Sequence, residues 1–181
     1  MGAAIRDYFR QGKSAQLKVL SSLFDDDEMP VAHLFRSYHE MPPLEQRALN
    51  EARGKVLDVG AGAGCHALAL QERGLDVTAV DISPLSCETM KERGVAIVAC
   101  VNIFNQRFQE RFDTLLLLMN GTGIAGKLSR LPQLLSSLKQ LMNPVHKSSS
   151  TPATFVMSMK MKTVCWTWTS MALTMVRSTI R

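Results

Sequence analysis

Three glycines at alternate positions, Gly60, Gly62 and Gly64, follow the apolar run KVLDV, and a carboxylate, Asp58, stands inside the end of that run. Glycines so placed remove Cβ atoms from a turn, which lets a flat ligand lie against bare main chain. A second carboxylate, Asp81, closes the stretch DVTAVD seventeen residues past Gly64. Its two oxygens are acceptors suited to a pair of neutral donors such as the two hydroxyls of a ribose. Ile82 beside it offers an apolar surface to the face of an adenine. These residues describe a site for an adenosine-containing ligand. They do not choose which one, because an enzyme of nicotinamide adenine dinucleotide uses an acid in the same place.

The elements that must carry these residues are legible from their patterning. KVLDVG is a continuous apolar run of strand length, and CHALALQERG places Ala67, Leu68 and Leu70 on a helix ending at Gly74. DVTAVDIS alternates as a second strand, and PLSCETMKERG reads as a helix with Pro84 in its first turn and Gly94 at its stop. VAIVACVNIF is a third strand. In FDTLLLLMNG the four leucines suit a strand buried on both faces of a parallel sheet. LSRLPQLLSSLKQLM repeats Leu128, Leu131, Leu135, Leu138 and Met142 at spacings of three and four, which predicts a helix with one apolar stripe. Upstream, KSAQLKVLSSLF has helical apolar spacing, and MPPLEQRALNEARG reads as a helix closed by Gly54. Strands alternating with helices imply right-handed crossovers and an α/β, doubly wound, mostly parallel sheet of four strands with helices at its N-terminal side. The glycine turn, Asp81 and the NGTG turn would then open on one edge, beyond the carboxyl ends of the strands.

The dinucleotide fingerprint GxGxxG requires a third glycine where this chain has Cys65. The spacing here is GxGxG, and with Asp58 it becomes DxGxGxG. On these residues the chain resembles a class I S-adenosylmethionine-dependent methyltransferase with a Rossmann-like sheet, the likeness running from about residue 30 to 143. The resemblance implies S-adenosylmethionine as cofactor, lying along Asp58, Gly60, Ala61, Gly62 and Gly64, with Asp81 on its ribose and Ile82 on its adenine. Asp58 would tie the loop or meet the methionine end. The family often has an acid near the adenine amine after the third strand; this chain has Asn102, followed by Ile103. Asn120 stands where the family places residues facing the methyl donor and substrate, and it also fits a plain Asn-Gly turn. FRSYHEMPPLEQ reads first as a solvated helix face; the alternative is a segment folded over the cofactor, with Arg36 or Tyr38 reaching the methionine carboxylate. The implied chemistry is direct displacement by a nucleophile, helped by alignment, an effect that can amount to roughly 7–11 kcal/mol. His66 follows the glycine loop, but no residue takes a catalytic role from sequence, and no metal site is expected. An NAD-binding oxidoreductase and a noncatalytic truncated remnant of the family are the alternatives.

Bulk properties bound the rest. A chain of 181 residues suits one domain. No apolar run approaches the roughly 20 residues of a membrane span, and MGAAIRDYFRQGKS lacks the apolar core of a signal peptide; a cytoplasmic protein is expected. Four scattered cysteines without CxxC spacing read as reduced thiols. The net charge of +5 belongs to the end of the chain, where Lys147, Lys160, Lys162, Arg177 and Arg181 meet no acid. Residues 1–144 therefore balance 16 basic against 16 acidic side chains, which gives no nucleic-acid signal. The methyl acceptor is expected to be a small molecule or another, unidentified, nucleophile, and no membrane partner is expected.

Composition divides the chain into a helical segment 1–54, a cofactor-binding core 55–143 and an aberrant tail 144–181. Residues 145–181 contain no Asp, Glu, Gly, Asn, Gln or Tyr, but 13 Ser and Thr and both tryptophans. Methionine and tryptophan have one codon each, ending in G, so a reading frame that begins at the third base is partly forced. Met159-Lys160 and Met161-Lys162 then give Glu, Trp166-Thr167 and Trp168-Thr169 give Asp, and Met171-Ala172 and Met175-Val176 give Gly. The missing acids and glycines return. The expectation is a tail read out of frame from near Pro144 and poorly ordered, a fourth strand with an open outer edge, and a weakly stable protein.

Overall fold

The computed structural model describes residues 1–19, 27–105, 108–119 and 121–144, together with the strands at 154–157, 164–169 and 172–177. Two short strands, β1 (Leu17–Val19) and β2 (Asp27–Met29), pair antiparallel near the N-terminus. The main sheet begins with β3 (Lys55–Val59), β4 (Asp76–Asp81), β5 (Ile97–Cys100) and β6 (Thr114–Leu117), all parallel. Its order is β5-β4-β3-β6, continued by β7 (Thr154–Met157), β8 (Val164–Thr169) and β9 (Ala172–Arg177). The helices are α1 (Gly2–Gln11), α2 (Pro43–Glu51), α3 (Cys65–Gln71), α4 (Pro84–Glu92) and α5 (Leu131–Gln140).

Each crossover starts and stops where its residues require. α4 has Ser83 as N-cap, its hydroxyl accepting from the Ser86 N–H at 3.4 Å, with Pro84 in the first turn. Val56 and Leu57 at the centre of β3, and Leu115, Leu116 and Leu117 in β6, are fully enclosed. One apolar layer, with Ala67, Leu70, Val77 and Met90, packs α3 and α4 on one face of the sheet. A second, with Leu57, Phe112, Leu115, Leu134 and Leu138, packs α5 on the other. The four parallel strands with helices on both faces are those the sequence patterning predicts.

Three details differ from the sequence reading. The segment expected as a helix over KSAQLKVLSSLF instead ends in β1 where described; residues 20–26 lie outside the described residues. α1 has already ended at Gly12, φ +68°, and β1 and β2 lay Leu17 and Met29 side by side against Ile5, Val31 and Leu34, which a strand pair achieves with alternate residues. The stripe on α5 is rotated from the one expected. Leu131 with Pro132 opens the helix, so Leu128 falls in a preceding 3-10 turn and is 81 % exposed, while Leu135 is 38 % exposed. The buried positions are Leu134, Leu138 and Leu141. Finally, the outer edge of β6 is paired: β7 runs parallel to it, with Thr114 opposite Thr154 and Leu117 opposite Met157, and β8 and β9 follow antiparallel. A buried strand with unpaired N–H and C=O groups takes up a neighbouring segment of suitable propensity, and TFVM is β-branched and aromatic enough to serve. The expected disorder of the tail otherwise falls on residues outside the described ones.

Candidate functional site

The site forms where β3 and β4 end side by side. After Val59 the chain turns back over the end of β4: the Gly60 and Ala61 N–H groups donate to the Val80 carbonyl at 2.8 and 3.0 Å. The Gly62 N–H donates to Asp81 Oδ2 at 2.9 Å, and the Gly64 N–H to the Ala61 carbonyl at 2.8 Å. Two glycines are required for different reasons. Gly62 holds φ +60°, and a Cβ there would meet nothing nearer than Ile5 Cδ1 at 3.9 Å, so its need is conformational. Gly64 holds φ +80°, and a Cβ there would stand 2.9 Å from Val95 Cγ2 and 3.1 Å from Met90 Cγ, so its need is also one of space against α4. The loop is roofed by the N-terminal elements, with Ile5, Val31, Leu34 and Ala63 in one buried cluster joined by Met119.

Asp81 ties this loop to the start of α4. Its Oδ1 accepts from the Ser83 N–H at 2.8 Å and its Oδ2 from the Gly62 N–H at 2.9 Å. A carboxylate has about four lone-pair sites, so each oxygen retains one. Ile82 next to it is 68 % exposed, an apolar side chain presented to solvent at the sheet edge. Ile103 is buried in the apolar layer that packs α5. The Asn102 side-chain carbonyl accepts from the Phe104 N–H at 3.0 Å, so it is turned to its own loop. Asn120 lies outside the described residues.

Beneath the loop is a buried set of charges. Asp58 is 2 % exposed, and its Oδ2 has no hydrogen-bond partner. Burial pushes its carboxyl up, and the neighbouring charge of Asp81 adds to this, while His66 and the Ala67 N–H oppose it. His66 is 4 % exposed, with Nε2 3.0 Å from Glu45 Oε2. The same oxygen accepts from Arg36 Nη2 at 2.7 Å, and Nη2 also reaches Met119 Sδ at 3.4 Å. Arg36 Nε is buried without a partner. Met119 holds φ +48°, a left-handed backbone that costs a non-glycine residue free energy and that is common where a site constrains the chain. Burial disfavours charge on both His66 and Glu45, but their pairing wins: the Glu45 carboxyl is lowered, and the His66 imidazolium is raised to about 10 by Cys65, Glu45 and Asp58.

Of the residues singled out in sequence, the fold brings Asp58, Gly60, Ala61, Gly62, Gly64, Asp81 and Ile82 to one edge. Arg36 points inward to Glu45 rather than lying on a solvated face, whereas Tyr38 turns away: its hydroxyl donates to Asn50 Oδ1 at 2.9 Å and its ring stacks under Arg73. Patterning did not find Glu45 or the role of His66. Their signal was a charged or titratable residue at a position that the fold buries. Among the described residues there is no group of three or more side chains able to hold a metal ion, and no helix long and apolar enough to cross a membrane.

Residues 56–144 match a family model described as a methyltransferase domain. Among solved structures, an S-adenosylmethionine-dependent methyltransferase from Bacteroides fragilis in complex with S-adenosyl-L-homocysteine is similar at 51 % sequence identity and a TM-score of 0.76; the match covers 86 % of this chain and 62 % of that one. The CcbJ methyltransferase from Streptomyces caelestis is similar at 17 % identity and a TM-score of 0.59, over 86 % of this chain and 55 % of its own. The amino pentose methyltransferase CalS10 from Micromonospora echinaspora, solved with S-adenosylmethionine bound, is similar at 15 % identity and a TM-score of 0.56, over 75 % of this chain and 58 % of its own. The last two likenesses are of fold. The chain thus spans 62 % of the length of the Bacteroides methyltransferase. No curated protein matches it.

Proposed function

Residues 56–144 are a methyltransferase domain of the class I S-adenosylmethionine-dependent type, and on that footing we propose that this chain binds S-adenosylmethionine at the carboxyl edge of β3 and β4 and directs its methyl group to a nucleophilic acceptor. The observation that carries this reading is a pair of buried atoms of opposite sense, Asp58 Oδ2 and Arg36 Nε, that lack partners. Buried polar atoms in a folded protein are nearly always paired. An orphan acceptor on a carboxylate and an orphan donor on a guanidinium match the ammonium and carboxylate of an amino acid.

The residues fit the rest of the ligand. Asp81 would receive the two ribose hydroxyls on the lone pairs that Gly62 and Ser83 leave. Ile82 would lie on the adenine face, with Asn102 and Ile103 bordering the adenine end. Gly60, Ala61, Gly62 and Gly64 would form the turn along which the ligand lies, Gly60 being the exposed one of the four. S-adenosylmethionine supplies an electrophilic methyl group on a cationic sulfur. The protein's part is to hold that group in line with the incoming nucleophile, an entropic and orientational contribution that can reach roughly 7–11 kcal/mol. Asn120 is the residue we assign to the side facing donor and acceptor. His66 is not the base: its Nε2 is engaged by Glu45, and as an imidazolium it has no lone pair to receive a proton.

The acceptor is a small molecule or another, unidentified, nucleophile, and the neutral balance of residues 1–144 carries no specific nucleic-acid signal. The free thiols Cys65, Cys87 and Cys100 accord with the reducing cytoplasm. We further assign the catalytic core to 55–143 and read 144–181 as out of frame. Both assignments meet in one assay, transfer of radiolabelled methyl from S-adenosylmethionine into cell extract, run on the chain as given and with the frame restored near Pro144. The expected result is incorporation by the restored form well above the given one. Silence from both would overturn the enzymatic reading, and equal activity would overturn the frame reading.

A further inference from the structure

One oxygen, Glu45 Oε2, holds two cations at once, His66 Nε2 at 3.0 Å and Arg36 Nη2 at 2.7 Å, in a setting where Glu45 and Arg36 side chains are each 12 % exposed. The charges come from separate elements. Arg36 lies between two short 3-10 turns, Glu45 is on α2, His66 opens α3 beside Cys65, and Asp58 is on β3 with Asp81 beyond it on β4.

We propose that His66, paired through Nε2 with the Glu45 oxygen that also holds Arg36, is a positioning residue that keeps the Arg36 guanidinium in place, and so sets the affinity of the site for the amino-acid end of the methyl donor. This rests on the donor reading above. Removing the imidazole takes from Glu45 Oε2 one of the two groups that hold it. Arg36, no longer sharing Glu45, is drawn wholly to it. The adenosine end, held by Asp81 and Ile82, is untouched.

The consequence separates two halves of one ligand. S-adenosylhomocysteine carries adenosine and the amino acid, whereas 5′-methylthioadenosine carries adenosine and a thioether but no amino acid. In calorimetric titrations of the full chain near pH 7.5, His66→Gln should weaken S-adenosylhomocysteine by about 10- to 100-fold, the range of one to two charge-assisted hydrogen bonds, and leave 5′-methylthioadenosine within about twofold. Equal weakening of both ligands, or of neither, would overturn the role of His66 while leaving the donor reading intact. Failure of the unsubstituted chain to bind either ligand would instead remove the donor reading. If His66→Gln does not fold, the ring nitrogen shifts of His66 in the unsubstituted protein decide the matter: the imidazolium is expected at pH 7.5, since the burial penalty is outweighed by Cys65, Glu45 and Asp58 up to about 10. A neutral ring at pH 7.5 would contradict the proposal.

Discussion

Asp81→Ala should weaken S-adenosylhomocysteine by at least about 100-fold while the protein remains folded. Among the described residues the Asp81 carboxylate accepts from the Gly62 and Ser83 N–H groups, and it is half-buried, so water can replace it there. In the complex it would accept two ribose hydroxyls as well. Hydrogen bonds to a charged group contribute about 1.5–3 kcal/mol each, so two amount to about 3–6 kcal/mol, and each 1.4 kcal/mol is tenfold in affinity. Asp81→Asn keeps one acceptor oxygen and should lose nearer tenfold. Calorimetry gives the affinities and a melting curve reports the fold. Alanine at this position with unchanged affinity would mean that Asp81 is only the tie between the glycine loop and α4.

Gly64→Ala should cost far more stability than Gly62→Ala, although the two glycines are two residues apart. Both hold left-handed backbone, which costs an alanine about 1–2 kcal/mol. At Gly64 the new Cβ also meets Val95 Cγ2 at 2.9 Å and Met90 Cγ at 3.1 Å. Both neighbours are buried and cannot retreat to solvent. Overpacking of this kind adds about 1–3 kcal/mol, so the total approaches 2–5 kcal/mol, a large fraction of the 5–15 kcal/mol that typically holds a domain folded. The midpoint of thermal unfolding should fall by on the order of 10 °C for Gly64→Ala. Gly62→Ala meets only Ile5 Cδ1 at 3.9 Å and should fall by a few degrees at most. Equal losses would show that α4 does not pack against the loop as described.

What the sequence made legible is what local chemistry dictates. Gly60, Gly62 and Gly64 advertise a turn because few other residues take positive φ, and Asp81 is recognisable because it ends an alternating strand at a fixed distance from them. The four core strands announce themselves by Val, Ile and Leu runs flanked by helix starts and stops such as Pro84 and Gly94. The charged set was hidden because its members come from different elements: Glu45 and His66 are 21 residues apart, and no period links them. Tyr38 and Arg36 were interchangeable on paper, since which of two side chains faces inward depends on a 3-10 turn that leaves no pattern. Leu128 and Leu135 matched a helical stripe by spacing alone, and only the late start of α5 at Leu131 shows that Leu134 and Leu138 are the pair that packs. The strand pair β1–β2 defeated its helical spacing because tertiary contacts with Ile5 and Leu34 outweigh a weak local preference. The β6–β7 pairing is non-local and depends on the register of the whole sheet.

The central claim is that the glycine turn and the Asp81 carboxylate hold adenosine joined to an amino acid rather than to a pyrophosphate. Parallel calorimetric titrations of the chain with S-adenosylhomocysteine and with NADH address it most directly. The account predicts that S-adenosylhomocysteine binds at least about tenfold tighter, a difference of about 1.4 kcal/mol. Tighter binding of NADH would contradict it.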